Sequence, residues 1–251
     1  MATAITMTTT MRTRAMAASA EPLGAAAPFK ELPLLVWLSP AFPVGSFAYS
    51  HGLEWAAEAG DIIDAASLKG WLIDLIDFGA PRADSLLFAA AFRATEGADW
   101  AELAAINELA IALAGSSERR LETSAQGGAF VAAMRAAWPC AALARLPAQG
   151  EGPSAYPIAV AVAAAGHGLD LASSLEAFGL AVLANLVSAA VRLGTIGQTD
   201  GQRTLAALMA EVRALAHHAA GAGLDALGGC AFRSEIAAMR HETQYSRLFR
   251  S

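Results

Sequence analysis

The apolar residues of this chain recur at the spacing of helices over most of its length. One segment fits the i, i+3, i+4, i+7, i+8 pattern of a helix with a single buried face, which comprises Leu68, Trp71, Leu72, Leu75 and Ile76. Residues 61–64 carry the start signal for this helix, and Gly79 and Pro81 end it. The pattern therefore predicts a helix between two clear boundaries.

Three further helices are predicted before the middle of the chain, and capping residues mark where the last two of them begin. A helix through 85–92 ends at Gly97, and Asp99 begins the next, whose predicted face comprises Trp100, Leu103, Ile106, Leu109 and Leu113. Residues 115–118 begin a long helix that continues toward Trp138. Its middle contains 127–128, a Gly-Gly pair, which marks either the close approach of another backbone or a weak point in the helix.

The second half of the chain is more apolar. Segment 146–157 carries three prolines and two glycines and is predicted to be an exposed loop. Residues 177–191 are 15 positions without a charge, fewer than the roughly 20 that span a bilayer. We expect a central core helix, or one that also faces a second subunit. Segment 192–202 is predicted to be a glycine-rich turn, followed by a helix over 205–215.

Residues 37–54 combine prolines, glycine and aromatic rings in one bend. Pro40, Pro43 and Gly45 interrupt regular structure. Ser46 is then the predicted N-cap of a helix on which Phe47, His51 and Glu54 recur at helical spacing. This segment is expected to present its polar side chains, which are Tyr49, Ser50, His51 and Glu54.

The final segment, 233–251, differs from the rest of the chain in charge. Its four arginines and two glutamates leave +2, so the remainder of the chain, which totals −6, carries −8. Arg233, Arg240 and Arg247 are seven positions apart, which predicts a shared helical face. Tyr245, Leu248 and Phe249 are unusual in a solvated tail. We therefore expect a segment that folds onto a partner.

Composition supports an all-α protein. The chain is 55% hydrophobic and 16% charged, and alanine, the best helix former, supplies much of the apolar share. We predict a single-domain bundle of roughly ten helices over 31–232, with a flexible, disordered N-terminal extension over 1–30 and a partner-binding C-terminal tail over 233–251. Two domains divided at 146–157 are the alternative, but neither half looks able to bury its helix faces alone.

Net charge, cysteine content and the composition of the first residues indicate which partners and which compartment to expect. A net charge of −6 argues against binding to nucleic acid or to an anionic membrane. Cys140 and Cys230 are predicted to be small buried residues in a reducing compartment, such as the cytoplasm. The first 27 residues resemble an organelle transit peptide in composition. A disordered extension or a wrongly assigned start codon is the alternative that we favour.

The residues give little indication of catalysis. The five histidines form no metal-ligand spacing, so we expect no metal site. Ser50, His51 and Glu54 are triad residue types, but they lack a nucleophile elbow, and neighbours in sequence rarely reach triad geometry. We therefore expect a binding or scaffolding protein and not an enzyme.

Several segments resemble one known family. WLSPAFPVGSFAYSHGLE at 37–54 and IAAMRHETQYSRLFRS at 236–251 are similar to the opening and closing signatures of the urease accessory protein UreF family. Three segments between them, at 116–127, 157–169 and 192–202, also resemble the family pattern in the right order. The resemblance covers about 33–251 and supports the all-helical fold.

The resemblance implies a role in urease maturation. Members are usually homodimers that bind the accessory protein UreD, also called UreH, and this complex recruits the GTPase UreG. The assembly delivers nickel to apo-urease in a GTP-dependent step, so no cofactor is expected to bind tightly here. UreG binds the GTP. The residues expected at or near the UreD contact are Tyr49, His51, Glu54, Arg240, His241, Tyr245, Arg247 and Phe249.

Two alternatives remain open at this point. The chain could regulate the UreG GTPase instead of acting as a passive scaffold, with Arg192 or a tail arginine inserted into the GTPase site. His51 and Glu54 could also line a path of weak, transient nickel contacts, although a packing role fits these residues better.

Overall fold

A computed structural model describes residues 29–147 and 152–251, and within these ranges every regular element is a helix. The α-helices are α1 Leu32–Trp37, α2 Leu53–Glu58, α3 Ala65–Phe78, α4 Ala80–Glu96, α5 Trp100–Ala112, α6 Ser117–Ala137, α7 Tyr156–Gly166, α8 Leu171–Arg192, α9 Gln198–Ala206, α10 Met209–Gly221 and α11 Phe232–His241. Three short 3-10 helices span Ser46–Ala48, Ala141–Arg145 and Leu224–Ala226. The predicted all-α class is confirmed. The extension predicted over 1–30 lies outside the described residues except for its last two.

The predicted caps explain where several helices begin. The Asp64 carboxylate accepts a hydrogen bond from the Ser67 backbone N–H at 2.8 Å and starts α3. Asp99 starts α5, and Ser116 starts α6, each through a side-chain oxygen that accepts a backbone N–H. The predicted apolar face of α3 is buried throughout. The helix and its boundaries are therefore confirmed.

Helix α7 is the most deeply buried element. Every residue from Pro157 to Ala164 is buried, and the helix packs chiefly against α4 and α6. Small alanine side chains allow these helices to approach closely. On α6, a Cβ added to Gly127 would lie 1.9 Å from the Ser154 carbonyl oxygen, whereas one added to Gly128 would meet nothing. The Gly-Gly pair thus marks close backbone contact, and only at its first residue.

Judged by length and composition alone, helix α8 is long and apolar enough to cross a membrane. Half of its most apolar stretch is buried inside the chain, however, and it packs closely against α10. This burial supports the predicted core helix, and the alternative that α8 also faces a second subunit stays a prediction. The outward side of α8 carries Leu180, an exposed apolar residue.

The buried apolar residues form two clusters that share two helices. The larger cluster is built mainly on α4, α5, α6 and α7, and the smaller one on α2 and α3. Helices α8 and α10 contribute to both, since Phe178 lies in the first cluster and Leu186 in the second. The division of the chain into 1–30, 31–232 and 233–251 stays a prediction.

The prediction of a helix that starts at Ser46 is wrong. Ser46 begins only a 3-10 turn, Tyr49 is extended, and α2 begins at Leu53. The cause lies in the backbone, because His51 and Gly52, both inside the predicted helix, adopt the left-handed conformation at φ values of 55° and 76°. A right-handed helix cannot run through these two positions.

The predicted turn and helix over 192–215 also differ from the structure. Helix α9 begins at Gln198, inside the predicted glycine-rich turn, and the single helix predicted over 205–215 is interrupted before α10. Gly201 lies within α9, where a Cβ would approach Val187 at 3.0 Å. This glycine therefore serves helix packing and not chain reversal.

Two predictions about the later part of the chain are corrected. Helix α11 ends at His241, so Arg247 lies beyond it and does not share a helical face with Arg233 and Arg240. Cys230 is exposed and only Cys140 is partly buried, and both are free thiols. The exposed position of Cys230 follows from the glycine-rich loop that precedes it.

Candidate functional site

The opening bend and the final segment lie against each other. The Ser50 backbone N–H donates to a backbone oxygen of Ser251 at 2.6 Å, and the Ser50 hydroxyl donates to the same oxygen. The Arg250 backbone N–H donates to the Ala48 carbonyl oxygen at 2.8 Å. The two segments that carry the family resemblance therefore form one continuous structure.

A buried carboxylate on α2 holds the final segment by its backbone. Oε1 of Glu54 accepts the N–H of Leu248 at 2.6 Å. Oε2 accepts the N–H of Phe249 at 2.9 Å and faces Nε2 of His241 at 3.1 Å. Hydrogen bonds to a charged acceptor are about twice as strong as neutral ones. Glu54 is thus the main polar anchor of the tail.

The imidazole of His241 lies between two carboxylates and is fully buried. Its Nδ1 faces Oε2 of Glu118 on α6 at 2.6 Å, opposite the Glu54 contact. The other oxygen of Glu118 accepts a hydrogen bond from the Arg247 guanidinium at 2.7 Å. Helices α2, α6 and α11 and the segment after α11 therefore converge on a single charged cluster.

A second carboxylate, Glu122 on α6, fastens the bend to the end of the tail. It accepts hydrogen bonds from His51 at 2.8 Å, from Gln126 at 2.8 Å and from the Ser251 hydroxyl at 2.9 Å, and it pairs with Arg119. Burial opposes the charge of this carboxylate, but Arg119 and the other donors outweigh burial and lower its pKa to about 2. Glu122 is therefore ionised at neutral pH.

The same region borders a small cavity with both polar and apolar walls. Its volume is about 50 Å³, and His51, Asp84, Arg119 and Glu122 are among the residues that line it. Burial lowers the pKa of His51, so this ring is neutral near pH 7 and donates one N–H to Glu122. Burial raises the pKa of Asp84 to about 6, despite the nearby Arg119.

Two side chains of α8 brace the bend from its other side. The amide of Asn185 donates to the Tyr49 carbonyl oxygen at 3.2 Å. The Arg192 guanidinium donates to the Phe47 carbonyl oxygen and lies over the Phe249 ring, 4.4 Å from its centroid. In this structure Arg192 is engaged with its own chain, which gives the arginine-insertion alternative no support at this position.

The residues predicted at the UreD contact divide into an inner and an outer group. Tyr49, Glu54, His241 and Phe249 are buried, and His51 is largely so. The exposed group comprises Arg240, Tyr245 and Arg247. The inner group holds the final segment against the rest of the chain. Only the outer group is accessible to another protein in this conformation.

Sequence reasoning missed an apolar stripe on α11. Phe232, Ile236 and Met239 are all more than half exposed, and their i, i+4, i+7 spacing is visible in the sequence. Beyond the helix, Tyr245 is fully exposed and Leu248 is more than half exposed. We call these five residues the tail face. The seven-residue spacing of the arginines in this segment predicts a different helical face, which hides the apolar spacing in the sequence.

The arrangement favours packing over chemistry at Ser50, His51 and Glu54. The His51 ring contacts Glu122, while Glu54 contacts the tail, so these three side chains form no Ser–His–acid relay. Both carboxylate oxygens of Glu54 are engaged by the final segment, through His241 and the backbone N–H groups of Leu248 and Phe249. Within 29–147 and 152–251, no three His, Cys, Asp or Glu side chains are grouped to hold a metal ion.

Comparison with known proteins gives a consistent assignment. The UreF family model matches residues 62–209. The chain is 54% identical to the urease accessory protein UreF of Methylobacterium radiotolerans over 88% of this chain and 96% of that protein. It is 54% identical to the UreF of Xanthobacter autotrophicus over 96% and 100%, and 51% identical to that of Rhodopseudomonas palustris over 93% and 99%.

The chain belongs to the UreF family of urease accessory proteins. The resemblance seen in the sequence is thereby confirmed. UreF relatives are named as accessory proteins and not as catalytic subunits of urease, which agrees with a site built from packed carboxylates and an exposed apolar stripe.

Proposed function

We propose that this UreF-family chain is a docking scaffold for urease maturation. Its tail face binds UreD, the resulting complex recruits UreG, and the assembly passes nickel to apo-urease in a GTP-dependent step. Nickel is the cargo of the complex, and UreG binds the GTP. The observation that carries the proposal is the tail face, an exposed apolar surface fastened to a buried charged cluster.

The exposure of the tail face indicates a protein partner. Large apolar side chains gathered on one surface cost free energy in water unless another surface covers them. The inner face of α11 buries only the small or polar residues Ser234, Ala237, Ala238 and His241. The larger side chains point away from the chain, as expected of a helix that contributes its main apolar area to an interface.

Charge indicates the chemistry of that partner. Arg240 and Arg250 are exposed in the same segment as the tail face, and this segment carries +2 on a chain that is otherwise −8. An acidic rim around an apolar patch would complement this surface and favour association. We therefore expect acidic residues on UreD around the region that covers Ile236 and Met239.

The support beneath the face favours a preorganised interaction. Glu54, Glu118 and Glu122 fix the tail to α2 and α6 through hydrogen bonds to its backbone and side chains. Binding then orders fewer groups than it would with a free tail, so less conformational entropy is lost.

The first test places a charge in the tail face. Ile236→Asp should reduce co-purification with UreD at least tenfold, since a carboxylate buried in an apolar interface costs about 2 kcal/mol or more. The thermal midpoint should stay close to that of the unmodified chain because Ile236 is exposed. Leu35→Asp is the matched control, an equally exposed leucine on α1. Equal UreD recovery with both variants would refute the proposed face.

A second exposed surface supports the expected homodimer. Helix α1 exposes Leu32, Leu35 and Val36, and α8 exposes Leu180. Leu35 and Leu180 border a groove of about 360 Å³ that also includes Glu31, Glu176 and Arg213. In a two-fold dimer the same patch of each copy meets its counterpart. A patch that carries both charge signs can then place opposite charges against each other. We propose that a second copy of the chain covers this groove.

The dimer surface has its own test. Leu35→Asp should shift the chain from dimer to monomer at micromolar concentration, because the introduced carboxylates would be buried in the interface. Light scattering coupled to size exclusion measures the mass. Ile236→Asp should leave the dimer intact and thus serves as the reciprocal control. A dimeric Leu35→Asp variant would place the interface elsewhere.

A further inference from the structure

Three charged side chains lie among the apolar residues of the groove between α1, α8 and α10. Glu176 of α8 and Arg213 of α10 are exposed, and Glu31, which immediately precedes α1, is partly exposed. Within residues 29–147 and 152–251, no ion pair involves any of the three. The groove therefore offers charges of both signs that the described part of the chain leaves unpaired.

The α8 wall of the groove is one helical face. Ser173, Glu176, Ala177 and Leu180 recur at i, i+3, i+4 and i+7, so the carboxylate lies one turn before the exposed leucine. Helix α10 packs closely against α8 and brings Arg213 to the same groove. A surface that fills the groove would thus meet apolar side chains and both charge signs together.

A second copy in the groove would remove these charges from water. A charge left unpaired in an interface is costly, whereas a charge that meets its opposite recovers much of that cost. Two-fold symmetry supplies such partners in pairs. If Glu176 of one copy meets Arg213 of the second copy, then Arg213 of the first copy meets Glu176 of the second. A single kind of contact therefore neutralises four charges.

We propose that Glu176 and Arg213 form reciprocal salt bridges between two copies of this chain and fix how the copies are arranged. This inference rests on the proposed dimer groove and adds the residues that determine its register. Burial of Leu35 and Leu180 supplies attraction without direction. The paired charges select one arrangement, because other arrangements leave charges unpaired or place like charges together.

Glu31 is the other acid in the groove, but it has less need of a partner. It lies at the start of α1, where the free backbone N–H groups of the first turn favour a negative charge. Glu176 lies in the second turn of α8, beyond the reach of the α8 N-terminus. With one arginine for two acids in each copy, we assign Arg213 to Glu176.

Charge reversal tests the pairing. Glu176 and Arg213 are exposed, so Glu176→Arg and Arg213→Glu should keep the thermal midpoint of the unmodified chain. Each variant alone places like charges together at two positions of the dimer, and its dissociation constant should rise by about tenfold or more. The double variant restores opposite charges and should return the constant to within about threefold of the original. Analytical ultracentrifugation measures the dissociation constants.

A mixture of the two single variants separates a bridge between copies from a bridge within one chain. In a mixed dimer, one copy presents two arginines at these positions and the other presents two glutamates, so both contacts are opposite in charge. Mixing should therefore produce dimers at concentrations where each variant alone is mainly monomeric. Native mass spectrometry with one variant isotopically labelled identifies the mixed dimer. A bridge within one chain would be lost in both variants, and mixing would not restore association.

Glu31→Arg is the matched control, because Glu31 borders the same groove. Combined with Arg213→Glu, it should fail to restore the dimer. Restoration by Glu31→Arg, unchanged association of the single variants, or a mixture without mixed dimers would overturn the pairing. Leu35→Asp keeps this result separate from the groove itself. A monomeric Leu35→Asp beside dimeric charge-reversal variants would refute the pairing alone, whereas a dimeric Leu35→Asp would refute the groove and the pairing together.

Discussion

Replacing Gly127 with alanine is expected to lower the free energy of unfolding by about 3 kcal/mol, the upper end of the usual cost of overpacking a core. The new Cβ would lie 1.9 Å from the Ser154 carbonyl oxygen and 2.8 Å from its carbon. The Ser154 backbone cannot readily yield. Asn107 on α5 holds the residues on both sides of it, Pro153 and Ala155, by hydrogen bonds of 2.9 Å.

The neighbouring residue provides a matched control. Gly128 lies in the same helix, and a Cβ there would meet no atom within 4 Å. Gly128→Ala should be neutral or stabilise the chain by up to about 1 kcal/mol, because alanine is the better helix former. Urea denaturation of both variants measures the difference. Similar stabilities would show that α6 and the segment before α7 are not in close contact.

Replacing Gly52 with alanine is expected to detach α11 and the tail. The new Cβ would lie 2.5 Å from the Ala238 backbone nitrogen and 2.8 Å from the Ala237 carbonyl carbon, so α11 could no longer pack on α2. We expect about 2 kcal/mol of lost docking free energy beyond the backbone strain. Hydrogen exchange over 232–251 should therefore accelerate roughly 30-fold, and UreD recovery should fall with it.

Gly45→Ala is the control that separates the effect of the Cβ clash with α11 from the effect of left-handed backbone strain. Gly45 and Gly52 have φ values of 72° and 76°, so alanine at either position incurs a similar left-handed penalty of roughly 1 kcal/mol. A Cβ at Gly45 would meet nothing within 4 Å. Gly45→Ala should leave exchange over 232–251 nearly unchanged. Equal acceleration in both variants would mean that strain in the bend, and not helix contact, controls the tail.

Local sequence signals predicted most of the helices. Asp64, Asp99 and Ser116 are N-caps whose effect extends over one turn, and the apolar face of α3 repeats within a single helix. Such signals need no knowledge of distant residues. The prediction of a helix from Ser46 failed for an equally local reason, since the left-handed conformations of His51 and Gly52 are not fixed by residue type alone.

The charged cluster could not be predicted in this way. Glu54 and His241 are 187 positions apart, and Glu118 and His241 are 123 apart. No periodic pattern connects such residues. The sequence did indicate that both segments are unusual, through their rings and their charge, but their contact depends on how α2, α6 and α11 pack. The same packing decides that His241 and Phe249 lie inside while Tyr245 lies outside.

The inner position of these residues changes how the tail should be tested. Deleting 234–251 would remove Ala237, Ala238, His241 and Phe249, all of which are buried within the chain. A loss of UreD binding would then report damage to the fold as well as loss of the contact. Substitutions confined to the tail face, such as Ile236→Asp, avoid this ambiguity.

The contact between Ser50 and Ser251 also has a consequence for folding. It joins residues 201 positions apart, and closing so long a loop costs conformational entropy that only the completed packing of the intervening helices offsets. We therefore expect the bend and the tail to meet late in folding, after the helices that support them. A partner that recognises this joined surface binds fully folded chains and passes over incomplete ones, so recognition doubles as a check on folding.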